Sequence, residues 1–279
     1  MSEPLSARHY TEAAPFAREA EAIFGATWQY LCHESELEEQ EGLDAAKLET
    51  LAGFVFINRD SGAPAMATLF GPIEQEIAGY APGARNWVRR HHSTQDLACN
   101  WKVAVENYSE CYHCAVAHPF LAEGVFDMAS YRIETGGLLQ RHSCRGRPAS
   151  EVAYGMDADA TPRGGDFASW YLWPNFALEV YPGGYLDIYH WAPLDTGTTR
   201  QTIAWYGAPD VPAAQLEEIG ALHLANTVAE DWRLVEAVQR GLANRGYGDG
   251  ALMIDRARSE KSEHAVAHFQ GLVRDALGT

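Results

Sequence analysis

The chain has 279 residues, 47% of them hydrophobic, enough for a sizeable core in one large domain or two small ones. Asp and Glu number 38 against 21 Lys and Arg, a formal charge of -17 at pH 7; that field repels a phosphate backbone, so nucleic acid is not an expected partner. The opening residues MSEPLSARHYTEAAPF lack an apolar leader core and no 18-residue apolar run follows, so neither secretion nor a membrane span is expected and the cytoplasm is the default. Five cysteines, Cys32, Cys99, Cys111, Cys114 and Cys144, do not form the dense even framework of small secreted domains and read as reduced thiols.

From Pro15 to Glu39 the chain begins with a helical stripe, Phe16, Ala20, Ile23 and Phe24, and passes through the aromatic run WQYLCH. The stretch ESELEEQEGLDAAKLET is acidic and poor in apolar residues. It reads as a solvated connection and the best boundary, dividing an N-terminal segment 1–50 from a domain 51–279. LAGFVFINRD is a buried strand closed by the turn residues Asp60, Ser61 and Gly62. Gly71 to Tyr80 is helical and Ala81-Pro82-Gly83 breaks it. Three strand-like runs follow, YRIETGGLLQRH, YLWPNFALEVYPGGYLDIYHW and TRQTIAWYGAP, with a hairpin signal at Tyr181-Pro182-Gly183-Gly184-Tyr185. Helical periodicity returns over Ala213–Leu242 and Ser262–Leu277. An antiparallel meander followed by helices is an α+β domain, the helices expected on one face of the sheet.

Chemistry concentrates between Asn100 and Pro119, NWKVAVENYSECYHCAVAHP, where Glu110, His113 and His118 fall within nine residues. On a helix Glu110 and His113 are i and i+3, neighbours on one face. Pro119 disfavours helix at His118, so the chain is expected to leave the helix there and swing the second imidazole back. A continuous helix would instead set the two His about 140° apart. Asp231 lies within the helical stripe Leu224, Val228, Leu234, Val235, Val238 and Leu242, while Glu230, Arg233 and Arg240 fall mostly outside it. A carboxylate so placed is partly buried and needs an Arg, several donors or a metal. Two His and one carboxylate on one face of an ion are the ligand set of mononuclear non-heme Fe(II) oxygenases. Two other readings stand beside it: the His are ordinary satisfied polar residues, or Cys111, Cys114 and His118 hold zinc, for which no fourth ligand follows in the usual spacing.

Read together, NWKVAVENYSECYHCAVAHP, YLWPN, EDWRLVEAVQRGL and SEHAVAHFQ resemble the catalytic domain of Rieske non-heme iron ring-hydroxylating oxygenases, most nearly the glycine betaine, choline and carnitine monooxygenase branch. The resemblance implies a helix-grip (START/Bet v1-like) α+β fold. It also implies Fe(II) held by His113, His118 and Asp231, with Glu110 as the bridging acid that passes electrons from a Rieske histidine on another subunit. Family members carry a [2Fe-2S] domain held by C-x-H and C-x-x-H pairs. The N-terminal part of this chain has neither pair, and Cys32 is followed directly by His33. The acidic connection from Glu38 to Thr50 stands where that domain would be inserted.

The expected function is therefore a terminal oxygenase subunit that hydroxylates or demethylates a small quaternary ammonium or aromatic substrate with O2. Its electrons would come from an external Rieske ferredoxin, reductase or Rieske-bearing subunit, within a homo- or hetero-trimer. Two alternatives are a non-catalytic helix-grip ligand binder or regulatory subunit, and a deletion fragment of a full-length Rieske oxygenase. Trp170, Tyr171, Trp173, Tyr181, Tyr185, Tyr189, Trp191 and Trp205 crowd the strands; they serve as core or, in part, as an aromatic cage for a quaternary ammonium.

Overall fold

Period-two alternation between Arg132 and Gly207 builds the main sheet, and the helical stripes on either side of it in sequence supply what covers the sheet. The computed structural model describes residues 4–37, 46–148, 151–154, 163–248 and 250–279. In chain order come α1 (Arg8–Thr11), α2 (Ala13–Glu19), which runs on through a π-helical turn, β1 (Gln29–His33), β2 (Lys47–Leu51), β3 (Phe54–Asn58), α3 (Met66–Phe70), α4 (Ile73–Tyr80) and β4 (Val88–Leu97). Then follow α5 (Trp101–Tyr108), α6 (Cys114–Ala117), α7 (Pro119–Gly124), β5 (Arg132–Gly136), β6 (Leu139–Arg145), β7 (Asp166–Leu172) and β8 (Phe176–Tyr181). The chain ends with β9 (Tyr185–Asp195), β10 (Thr198–Gly207), α8 (Ala213–His223), α9 (Ala229–Leu242) and α10 (His264–Leu277).

Strands β4 to β10 form one antiparallel sheet in the order β4-β10-β9-β8-β7-β6-β5. From β5 to β10 every strand pairs with the next, the meander expected from the sequence. The β8–β9 turn falls on the expected hairpin residues, with Tyr181 opposite Tyr185 and Gly183 and Gly184 both at positive φ. Alternation sorts the side chains into two cores. Tyr171, Ala177, Tyr181, Tyr185, Tyr189 and Trp191 face α5, α9 and α10. Trp170, Leu172, Phe176, Leu178, Val180 and Ile188 face the other way, onto Phe54, Phe56, Phe70 and Ile77. The long helices therefore share one face, as expected for the fold class. The second face, for which the sequence offered no cover, is closed by α3, α4 and a small sheet ordered β1-β3-β2.

Two local features go beyond the sequence reading. Within WQYLCH, to which the sequence assigned no element, Gln29–His33 pairs with Phe54–Ile57 as β1, and Trp28 and Tyr30 pack into the core beside the small sheet. The acidic connection is shorter than it looked, since Lys47–Leu51 becomes edge strand β2 on β3; residues 38–45 of it lie outside the described part. The β2–β3 turn is Ala52-Gly53 with both φ positive, and a Cβ at Gly53 would stand 2.6 Å from His33 Nε2.

The N-terminal helices are clamped to the site-bearing helix by a buried ion pair. Lys102 Nζ meets Glu19 Oε1 at 2.6 Å with both side chains fully buried, and Trp101 Nε1 donates to Glu19 Oε2 at 2.7 Å. Burial favours neutral Lys102, and the Glu19 carboxylate opposes it. A buried charge needs such a partner, so α2 and α5 are fixed to one another.

Candidate metal centre

Helix α5 begins at Asn100, whose side-chain oxygen accepts the Lys102 amide, and ends at Tyr108, where Ser109 Oγ returns to the Val105 carbonyl. Glu110 and His113 therefore sit in the turn after the helix rather than on one helical face, a correction to the sequence reading. The turn still brings them together, with His113 Nδ1 2.5 Å from Glu110 Oε1. His118 leaves the helical region, at φ -119° and ψ 64°, between α6 and α7, and Pro119 is the first residue of α7. That break swings its ring toward His113, ring centroids 4.9 Å apart, as the His-Pro sequence led one to expect.

Asp231 arrives from the first turn of α9. His113 Nε2 lies 3.0 Å from His118 Nε2, His118 Nε2 lies 3.0 Å from Asp231 Oδ1, and His113 Nε2 lies 3.4 Å from the same oxygen. Adjacent ligands on an ion with bonds of about 2.1 Å stand about 3.0–3.4 Å apart, so the three atoms have the edge lengths of one face of a coordination shell. They are also the residues of one potential metal cluster found among the described residues.

The outer contacts fix which atoms face inward. His113 Nδ1 meets Glu110, and His118 Nδ1 meets Glu230 Oε2 at 2.9 Å. A ring nitrogen facing a carboxylate carries the proton, which leaves both Nε2 lone pairs aimed at Asp231 Oδ1. Three acceptors converging on one point, two of them with their tautomers already set, are suited to a cation. Burial disfavours the His113 cation, but Asp231 and Glu110 outweigh burial and raise its pKa to about 10. Burial likewise favours neutral Asp231, while its bonds to His113 and His118 hold it down at about 2. Asn107 Nδ2 donates to Asp231 Oδ1 at 2.8 Å.

The sequence reading singled out Glu110, His113, His118 and Asp231, and all four meet here; it placed Glu230 outside the stripe and passed over Asn107. Glu230 precedes a candidate ligand directly in sequence, but which carboxylate would reach the Nδ1 of His118 depends on how α9 is turned against α7.

The reduced-thiol reading holds for three of the five cysteines and fails for two, and the zinc alternative fails with those two. Cys111 and Cys114 form a disulfide within this turn, with Cα atoms 5.0 Å apart, while Cys32, Cys99 and Cys144 remain free. The turn from α5 into α6 brings the two sulfurs together, and sulfurs bonded to each other are not thiolate ligands, so the Cys111-Cys114-His118 zinc site is not formed.

The cluster opens on a cavity of about 80 Å³ between the helices and the sheet. Its wall includes Glu110, His113, His118 and Asp231 at one end and Tyr181, Tyr189 and Trp191 from the sheet. Of the eight aromatic residues weighed from sequence, these three line it; Trp170 faces the opposite core.

Residues 84–279 match the family model described as ring hydroxylating alpha subunit (catalytic domain). The chain is 32% identical over 243 residues to the carnitine monooxygenase oxygenase subunit of Acinetobacter pittii (strain PHEA-2), covering 86% of this chain and 64% of that protein. It is 25% identical over 248 residues to the chloroplastic choline monooxygenase of Beta vulgaris, covering 85% of this chain and 51% of that protein. The chain thus spans less than two thirds of the length of these curated relatives. Its fold matches that of a quaternary ammonium Rieske monooxygenase, a structure titled for carnitine oxidation and inter-subunit electron transfer, with TM-score 0.86 and 24% identity over 99% of this chain and 95% of that one. The matched region contains α5, α9, α10 and every strand of the main sheet, and the chain belongs to the ring-hydroxylating alpha-subunit catalytic-domain family.

Proposed function

We propose that the chain is a terminal oxygenase that binds Fe(II) through His113, His118 and Asp231 and oxidises a small quaternary ammonium substrate. The observation that carries the reading is the triangle of two Nε2 atoms and Oδ1, with edges of 3.0, 3.0 and 3.4 Å, at the wall of a cavity. A ferrous ion in such a set supplies reductive activation of O2 beside bound substrate. The chain's own residues prepare for it. Glu110 and Glu230 hold the Nδ1 protons and so keep both imidazoles turned inward, and Asn107 steadies the Asp231 carboxylate. Glu110 has the further role of linking His113 to an electron donor.

The quaternary ammonium assignment rests on the activities for which the carnitine and choline monooxygenase relatives are named and on the cavity. Tyr181, Tyr189 and Trp191 on its wall offer aromatic faces to a cation. We further propose that electrons come from a [2Fe-2S] centre outside these residues, across a subunit interface in a trimer. In this reading residues 51–279 form the catalytic domain, and residues 1–50 mark the place of the cluster domain in relatives. The N-terminal part lacks paired C-x-H and C-x-x-H ligands, and the structural relative is described as transferring electrons between subunits.

Metal analysis of the anaerobically purified chain, with its visible spectrum, tests the assignment. About one iron per chain without cluster absorption is expected. His113→Ala and Asp231→Ala should each abolish binding with the fold retained. Unchanged iron in both variants would reject the site.

A further inference from the structure

Glu179 on β8 and Asp187 on β9 stand directly opposite one another on the helix-covered face of the sheet, and both are buried. Two carboxyl groups placed together in a low-dielectric setting do not both ionise. Their surroundings decide which holds the charge. Glu179 accepts the Tyr108 hydroxyl at 2.9 Å and the Tyr181 hydroxyl at 2.8 Å, whereas Asp187 accepts from no donor among the described residues and meets only the Glu179 carboxyl. Burial raises both carboxyls, and the neighbouring Glu179 pushes Asp187 further up, but hydroxyl donors from Tyr108 and Tyr181 oppose the rise only at Glu179, so Glu179 is the member of the pair placed to carry a negative charge.

Glu179 lines the same cavity as the metal cluster, flanked by two groups of rings. Tyr108 lies 5.7 Å from Tyr189 and 5.0 Å from Trp191 between centroids, and on the other side Phe167 lies 4.5 Å from Phe126 and 5.1 Å from Tyr181. Glu179 takes one hydroxyl from each group. Aromatic faces and a buried carboxylate both favour a desolvated cation. The same wall offers a substrate acid no cationic partner: its donors, such as Trp191 Nε1 and Thr227 Oγ1, are neutral, no Lys or Arg lines the cavity, and none of the residues outside the described part is basic.

We propose that this cavity selects a permanently cationic alkylammonium head group that bears no acid, with Glu179 as the specificity-determining residue, and that it discriminates against zwitterions of the carnitine and glycine betaine type. The inference rests on the function proposed above only in taking this cavity as the substrate site. It predicts that the chain prefers a cation to the zwitterion for which its relative from Acinetobacter pittii is named.

Binding is read without turnover, by calorimetry on the full chain with and without Fe(II). The probes are tetramethylammonium, choline, glycine betaine and the uncharged carbon isostere of choline. Choline and tetramethylammonium are expected to bind about tenfold or more tighter than the isostere and glycine betaine, the scale of one buried charge contact. Glu179→Gln, which keeps an acceptor for a tyrosine hydroxyl, should lower choline affinity about tenfold and narrow its lead over the isostere. Equal binding of choline and the isostere overturns the inference, as does glycine betaine binding as tightly as choline or unchanged choline affinity in a folded Glu179→Gln chain. If that variant does not fold, the ranking by the parent chain decides alone. A chain that ranks the ligands as expected but takes up no iron supports this inference and overturns the oxygenase reading; a chain that holds iron but fails to rank them does the reverse.

Discussion

The two carboxylates behind the histidines make a graded prediction about metal affinity. Glu110 Oε1 is 2.5 Å from His113 Nδ1 with its side chain 13% exposed, whereas Glu230 Oε2 is 2.9 Å from His118 Nδ1 and 32% exposed. Partners of this kind orient the ring and raise its basicity, and their loss costs about 10- to 100-fold in metal affinity. Solvent screens the more exposed carboxylate. Glu230→Gln is therefore expected near the lower end, about tenfold or ~1.4 kcal/mol, and Glu110→Gln toward the upper end, each still iron-loaded at stoichiometric concentration. The assay is anaerobic Fe(II) titration of the parent and both variants under one buffer. Glu110→Gln should in addition lose turnover driven by a Rieske donor while keeping its iron. Equal affinities in all three chains, or a larger loss in Glu230→Gln than in Glu110→Gln, would refute the argument from geometry and exposure.

Removing one member of the fully buried Glu19–Lys102 pair strands the other, so Glu19→Ala should destabilise the chain by about 3–5 kcal/mol in denaturant unfolding; a change below about 1 kcal/mol would show that water reaches Lys102. Glu106 is half-buried, accepts from Tyr10 and Gln270, and is raised from 4.5 to about 7 chiefly by desolvation. Because the folded value is the higher one, its stabilising contribution is full below about pH 4.5 and is lost as pH rises through 7, about 3 kcal/mol in all. Glu106→Gln should therefore unfold at nearly the parent's temperature at pH 5 and above it at pH 8; parallel pH profiles would refute the assignment. Thiol titration of the unfolded chain should find three reactive thiols before reduction and five after it, from Cys32, Cys99 and Cys144 plus the Cys111–Cys114 pair. Five without reductant would place the pair in its reduced form.

What the sequence determined by itself was local and periodic. The strand-like runs marked the meander over β5, β6, β8, β9 and β10 but caught only the last two residues of β7, Pro119 wrote the break that turns His118, and the helical stripe marked Asp231 as a carboxylate needing a partner, although Val238 of that stripe is exposed. These survive because backbone geometry converts spacing directly into direction within a turn or two. Tertiary structure decided everything that depends on one element's rotation or register against another. Asp231 meets His118 across 113 positions, Glu230 rather than a neighbouring acid reaches the same ring, and Asn107 holds Asp231 from α5. Glu179 faces Asp187 only because β8 and β9 pair in the register set by the Tyr181–Tyr185 turn; a slip of one residue would send Glu179 into the opposite core. The strand identity of Gln29–His33 and Lys47–Leu51 was equally out of reach, because both are short and owe their form to pairing with Phe54–Asn58 rather than to any period of their own.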